Sequence, residues 1–173
     1  YAPQILQPHL PELIENILPV AIFDREIQVR RAAGAALQEN IGRQGVRVFG
    51  SRGIELTQVV DFFGLGSRER SYIEIGPVVS TMGYFELLFI HLLKCVKHWD
   101  VSIRSLAAKS LCRLVENLDN QAAKWHVSRR VVLHLVPVGS ENRKIASRHG
   151  SLLALAHIAS GLKHINEDLA LVL

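Results

Sequence analysis

One spaced pattern recurs three times in this chain and limits what it can fold into. It reads Asp24…Val29-Arg30-x-x-Ala33-x-x-Ala36-Leu37, then Asp100…Ile103-Arg104-x-x-Ala107-x-x-Ser110-Leu111, then Ser147-Arg148-x-x-Ser151-x-x-Ala154-Leu155. In the first two copies an aspartate stands where a helix N-cap belongs. A branched residue, an arginine and small residues one and two turns on then follow at helical spacing. Small residues let a neighbouring helix approach closely. The arginines are spaced by 74 and then 44 residues. Two units of about 37 residues and one of 44 fill those gaps, near the 40–47 residues of two-helix solenoid repeats. The copy between them, at 55–82, is degenerate.

The punctuation of the chain predicts eight helices in four antiparallel pairs, at approximately 8–45, 54–83, 84–118 and 120–163. The first helix is Leu10 to Phe23, with Pro19 inside it as a kink. Asp24 caps the second, Arg25 to about Ile41, which is expected to bury Val29, Ala32, Ala33, Ala36, Leu37 and Ile41. Residues 46–54 are the one long loop, and a helix from about Glu55 to Phe63 follows. Ser67 caps a helix to about Met82, kinked at Pro77, and Phe85 to Val96 is the next. Asp100 caps Val101 to Leu118. Ala122 to Val136 is stopped by Pro137 and Gly139, and Ser140 caps Glu141 to Leu162. The fold class is all-α, a HEAT/armadillo-like solenoid in which each pair covers the apolar face of its neighbour. Asn166-Glu-Asp before Leu169-Ala-Leu-Val-Leu173 reads as the start of a further helix. The 173 residues are therefore expected to be a single segment internal to a longer solenoid.

Composition agrees. Hydrophobic residues are 49% and aromatic ones 6%, mostly Leu, Val, Ile and Ala, which suits packed helices better than sheets. The net charge of +4 comes from scattered basic residues, with no block of the kind that marks a nucleic-acid interface. The best membrane-span candidate, His149 to Leu162, is about 14 residues against the roughly 20 a span needs. No span is expected.

The chemistry-bearing candidates are few. His91-x-x-x-Cys95-x-x-His98 has ligand spacing, but it lies in an apolar core helix with no fourth ligand, so packing is favoured over a metal. Cys95 and Cys112 make no disulfide framework. Gly64-x-Gly66 lacks the last glycine of a phosphate loop and follows no strand. Arg30-Arg31 and Arg129-Arg130 read as solvated or ion-paired surface. No nucleophile and base share a recoverable spacing, so no catalytic residue and no cofactor are expected. Arg30, Arg104 and Arg148 are expected to form an inter-repeat ladder with Asp24, Asp100 and neighbours. The functional alternative is a partner contact, one arginine acting as a finger on a bound GTPase.

Four strings carry a resemblance. They are Arg30-Arg-Ala-Ala-Gly-Ala-Ala-Leu-Gln-Glu-Asn-Ile-Gly-Arg-Gln-Gly45, Gly53-Ile-Glu-Leu-Thr-Gln-Val-Val-Asp-Phe-Phe63, His98-Trp-Asp-Val-Ser-Ile-Arg-Ser-Leu-Ala-Ala-Lys-Ser-Leu111 and Arg148-His-Gly-Ser-Leu-Leu-Ala. Together they resemble the tubulin-folding cofactor D family. Residues 120–140 carry little of that signal. The resemblance implies a large cytoplasmic scaffold that binds β-tubulin in assembling and dismantling the αβ dimer, with microtubule association as a further expectation. It further implies association with an Arf-like small GTPase, and stimulation of GTP hydrolysis by tubulin together with the other tubulin-folding cofactors. No catalytic residue carries over, and the arginine for that hydrolysis is assigned to cofactor C. Another HEAT adaptor, a nuclear transport receptor or a phosphatase scaffold, is the alternative. Ala33, Ala107 and Ser151 are expected at helix contacts. Arg43, Arg47, Arg52 and Arg68, around the long loop, are the positions expected to face an acidic partner.

Overall fold

The computed structural model describes residues 3–44, 52–141 and 144–163. It is helical throughout, and no strand occurs among the described residues. The helices are α1 (Pro3–Leu6), α2 (Leu10–Phe23), α3 (Ile27–Gln44), α4 (Arg52–Val59), α5 (68–84), α6 (Phe85–Cys95), α7 (Val101–Glu116), α8 (Gln121–Glu141) and α9 (Ile145–Lys163). They gather in two compact units, Tyr1–Leu88 and Phe89–Leu173.

In the first unit a three-residue link, Asp24 to Glu26, turns α2 back along α3. The Asp24 carboxylate accepts from the Glu26 amide at 2.8 Å and so starts the turn into α3. Leu10, Leu18, Ala21, Ile22 and Phe23 of α2 are buried, with Leu37 and Ile41 of α3, Leu56 of α4, Leu65, and Tyr72, Ile75 and Val79 of α5. Each buried Leu, Ile, Val or Phe side chain contributes about 1.5–3 kcal/mol of transfer energy. The last carbonyls of a helix have no partner inside it. Here Ser71 of α5 donates its hydroxyl to the Ile22 carbonyl at 2.6 Å, and the Tyr72 hydroxyl donates to that of Phe23. The rings of Phe23 and Tyr72 meet at 4.8 Å.

α5 is not a uniform helix. Two wide π-helical turns, Ser71–Ile75 and Ser80–Tyr84, flank Gly76–Val79, which carries Pro77. Gly83, at φ 97°, breaks it from α6. The combined stretch Arg68–Cys95 is long and apolar enough by composition to cross a membrane. That is a longer apolar run than His149–Leu162. Tyr72, Ile75, Val79, Leu88, Phe89 and Leu92 within it are buried, as in a core helix.

In the second unit α9 packs against both α7 and α8. Asp100 caps α7, its carboxylate accepting from the Ser102 amide at 2.8 Å. Ile103, Ala107, Ala108, Ser110, Leu111, Leu114 and Val115 are buried on α7, and Ser147, Ser151, Ala154 and Ile158 on α9. The two helices meet closely because their facing residues are small. A Cβ on Gly150 would lie 2.9 Å from Arg104 Cδ of α7 and 1.8 Å from the Val96 carbonyl oxygen in the turn after α6, and one on Gly161 would lie 2.9 Å from Cys112 Sγ of α7. α8 adds Val127, Val131 and Leu135 to this core.

Several expectations are corrected. On α3 the buried face is Arg30, Gly34, Leu37 and Ile41, whereas Val29 is 41% exposed and Ala32 and Ala36 face solvent. The face turns because Gly34, not an alanine, lets Leu65 in: a Cβ there would fall 2.4 Å from Leu65 Cδ1. α8 runs through Pro137 to Glu141, and α9 begins at Ile145, so Ser140 lies inside α8 and is not a cap. The proline ring crowds the Leu133 carbonyl. Leu133 is 64% exposed, so water can take the bond that Pro137 cannot make. Arg52, Gly53 and Ile54 open α4 instead of ending a loop, and the helix expected at 55–63 runs from Arg52 and ends at Val59. The rest of loop 46–54 and the helix start at 166–173 lie outside the described residues.

Candidate functional site

The repeat arginines define the most developed polar arrangement in each unit. Arg30, 1% exposed, is the largest fully buried side chain of the first unit. Its Nη1 donates backward to the carbonyls of Asp24 at 3.0 Å and Arg25 at 3.1 Å. Its Nε donates forward to the Leu65 carbonyl at 2.9 Å, and its Nη2 to that of Gly66 at 3.4 Å. Burial, with Arg68 close by, lowers its pKa from the ordinary value of 12.5. Five fixed donors on one planar group make arginine suited to gathering carbonyls from separate segments.

Arg104, 8% exposed, repeats the backward half of this pattern in the second unit. Its Nη1 donates to the carbonyls of His98 at 2.8 Å and Trp99 at 2.7 Å, again six and five residues upstream. Its Nε donates to His149 Nδ1 at 3.2 Å. Arg30 and Arg104 thus bind the turn before their own helix, through its main chain. The aspartates of those turns cap the helices with their carboxylates. Arg148 differs. It is exposed on α9, and its Nε donates to the Gly139 carbonyl at 3.3 Å. Of the small positions in the frame, Ala107 and Ser151 are fully buried and Ala33 is half-buried.

The basic positions around the long loop are not alike. Arg43 is exposed and ion-paired with Glu39 one turn away on α3. Arg52 is exposed and donates to the Met82 carbonyl at 3.3 Å. Arg68 is half-buried and donates to the Arg25 carbonyl at 2.9 Å, beside Arg30. Met82 and Arg68 stand 14 residues apart along α5, about 20 Å at helical rise, so Arg52 and Arg68 mark opposite ends of it. Arg47 lies outside the described residues.

The dibasic pairs are built into the structure more than their composition suggests. Arg31 lies over the Phe62 ring at 3.9 Å, Arg129 over Trp125 at 5.5 Å and Arg130 over Phe89 at 4.7 Å. His98 serves its turn: its Nδ1 accepts from the Asp100 amide at 3.0 Å. Among the described residues no three His, Cys, Asp or Glu groups are placed to hold a metal ion. Cys112 faces Glu116 and the His157 carbonyl, and burial followed by Glu116 pushes its thiol up to about 12. That is far from a nucleophile.

Against this geometry stand the relatives. A family model described as tubulin-specific chaperone D-like ARM repeats matches residues 1–53. Tubulin-specific chaperone D of Dictyostelium discoideum is 30% identical over 165 residues, covering 94% of this chain and 11% of that protein. Tubulin-folding cofactor D of Schizosaccharomyces pombe is 34% identical over 103 residues, 59% of this chain and 9% of that protein. The chain therefore spans about a tenth of the length of the curated relatives it matches. No solved structure gives a significant match. By sequence and by its helical repeats, the chain belongs to the tubulin-specific chaperone D family.

Proposed function

We propose that this chain is a scaffold segment of a tubulin-folding cofactor, contributing part of the surface on which β-tubulin is held while the αβ dimer is assembled or taken apart. The observation that carries the reading is identity running along 94% of the chain to a protein named for tubulin-specific chaperone activity. The packing supports a scaffold over a catalyst. Arg30 and Arg104, two of the three arginines that could have served as fingers, are buried and committed to main-chain carbonyls of their own unit, and the exposed Arg148 donates to the Gly139 carbonyl. In this reading the protein works in the cytoplasm with the other tubulin-folding cofactors and an Arf-like small GTPase. It promotes GTP hydrolysis by tubulin indirectly, supplying no catalytic residue. The chain contributes part of a longer binding surface.

Solenoids spread a partner over many repeats, so one stretch alone binds weakly. The test compares the 173-residue chain with the longer protein that contains it, measuring association with purified αβ-tubulin. The longer protein is expected to bind, and the isolated chain weakly or not at all. Reversing Arg43, Arg47 and Arg52 to glutamate in the longer protein is expected to slow association at low salt, with the effect shrinking as salt rises. Arg68 is kept, because it holds the Arg25 carbonyl. A longer protein with no affinity for tubulin overturns the scaffold reading. An unchanged association rate in the triple variant overturns only the assignment of these basic positions.

A further inference from the structure

A groove of about 700 Å³ lies within the second unit, between α6 and α8. Its lining from α6 is Phe89, Ile90, Leu93 and Lys94, with Lys97 in the turn just after it, and from α8 Arg130, Leu133 and His134. Both sets follow helical spacing, so each helix offers one continuous face. Ile90 is 50% and Leu133 64% exposed, above a floor of buried Phe89 and Leu93. Two large aliphatic side chains thus face each other across the groove in water.

The polar lining has one sign. Lys94, Lys97 and Arg130 are cations, and no acidic residue lines the groove. For a chain whose net charge is only +4, three cations in one apolar groove without an acid are a local concentration. Among the described residues neither lysine takes part in an ion pair. Arg130 lies over the Phe89 ring at 4.7 Å, which places its guanidinium at the groove wall. Lys97 Nζ meets His134 Nε2 at 3.1 Å and joins the two helices at one end. A lysine ammonium can only donate, so that contact requires an unprotonated Nε2.

An occupant must satisfy both halves of this lining. A neutral apolar segment leaves Lys94 and Lys97 without a counter-charge, and an acidic polar segment leaves Ile90 and Leu133 in water. A groove between two helices, about two turns long by the Phe89-to-Lys97 span, takes a third helix through anchors one turn apart. We propose that the groove between α6 and α8 docks an acidic amphipathic helix of a partner protein. Its aliphatic side chains lie against Ile90, Leu93 and Leu133, and its carboxylates reach Lys94, Lys97 and Arg130. The proposal stands apart from the tubulin reading, since any partner with such a helix meets its terms.

The test uses the full chain and a fluorescein-labelled synthetic helix of about 15 residues, near the shortest length at which isolated helices form. The helix carries Leu at i, i+3, i+4 and i+7, with Glu filling the exposed face. A twin with Gln for Glu and a twin with Ser for Leu accompany it. Binding is read by fluorescence anisotropy. The acidic amphipathic helix is expected to bind at low salt, with both twins at least about tenfold weaker, the value of one to two rim charges or one apolar anchor. The double variant K94E/K97E is expected to lose about tenfold, and Leu133→Ser a similar factor. Lys109→Glu, on the exposed side of α7, is expected to leave binding unchanged. Circular dichroism and thermal melting of each variant establish that the fold is kept, since Lys94 and Leu133 are exposed. Equal binding of the Gln twin, or full affinity in K94E/K97E, overturns the proposal. So does binding to anionic lipid vesicles without binding to the helix. So does sedimentation showing that a second copy of the chain fills the groove and excludes the peptide.

Discussion

The Nε of Arg30 donates to the carbonyl of Leu65 at 2.9 Å, tying the first repeat helix to a segment 35 residues further along. The same guanidinium holds the turn carbonyls of Asp24 and Arg25. Replacing it by methionine keeps the apolar stem and leaves the Leu65 carbonyl without its donor. Arg30→Met is expected to lower stability by about 3 kcal/mol, from hydrogen bonds to a charged group plus a buried acceptor left alone. Arg30→Lys is expected to cost about 2 kcal/mol, because one ammonium cannot span carbonyls on two sides. Urea unfolding of the two variants against the parent chain checks both values.

Two glycines separate space from flexibility. At Gly150 a Cβ would meet the Val96 carbonyl oxygen at 1.8 Å, a main-chain atom that cannot swing aside. Gly150→Ala is expected to cost about 3 kcal/mol or more, since α9 must move away from the turn that follows α6. At Gly42, inside α3, nothing lies within 4 Å of a Cβ. Gly42→Ala is expected to raise stability by about 0.5 kcal/mol through helix propensity alone. Paired thermal melts give opposite signs if the packing is as described.

How much of this was legible in the sequence depended on how local its cause is. Leu10–Phe23, the Asp100 cap, the Ser67 cap and the break before Phe85 follow from neighbours within a turn or two, and they fall where spacing places them. The inward face of α3 does not. A repeat frame treats arginine as the outward residue and alanine as the inward one. Arg30 is buried because carbonyls at Leu65 and Gly66 receive it, and those lie in the most degenerate copy of the repeat. The π-helical turns beside Pro77 leave no mark beyond the proline itself. The groove between α6 and α8 is non-local in the same way: Arg130 is more than 30 residues from Lys94 and Lys97 and meets them only across two helices.

Cys112 gives a chemical check on the packing of α7 against α9. With its thiol pushed up to about 12 by burial and by Glu116, only about one molecule in ten thousand carries the thiolate at pH 8. Cys112 is expected to resist iodoacetamide at that pH in the folded chain and to react readily in denaturant. Glu116→Gln removes the second cause, so the residual reaction should quicken. Mass spectrometry of the labelled peptide distinguishes the outcomes.

His134 reports on Lys97. Its pKa lies below the ordinary 6.5, through partial burial first and the neighbouring ammonium second. A histidine whose folded pKa is depressed favours folding above its unfolded pKa, and that contribution falls away as pH drops below about 6.5. The effect on stability is small, because His134 is largely exposed. An imidazole titration by nuclear magnetic resonance is the sharper measure. Lys97→Met is expected to move the His134 midpoint upward toward 6.5, and an unmoved midpoint would place the ammonium elsewhere.

The forward reach of Arg30 also sets an order of events at the ribosome. Donor and acceptor are 35 residues apart, so at 5–20 residues per second roughly two to seven seconds pass between their syntheses. During that interval α2 and α3 can form, but the guanidinium has only the turn behind it to bind. The hydroxyls of Ser71 and Tyr72, which close the end of α2, emerge later still. The first helix pair is thus made early and locked late, and a nascent chain stalled before Leu65 would present an open pair to whatever chaperone waits at the exit tunnel.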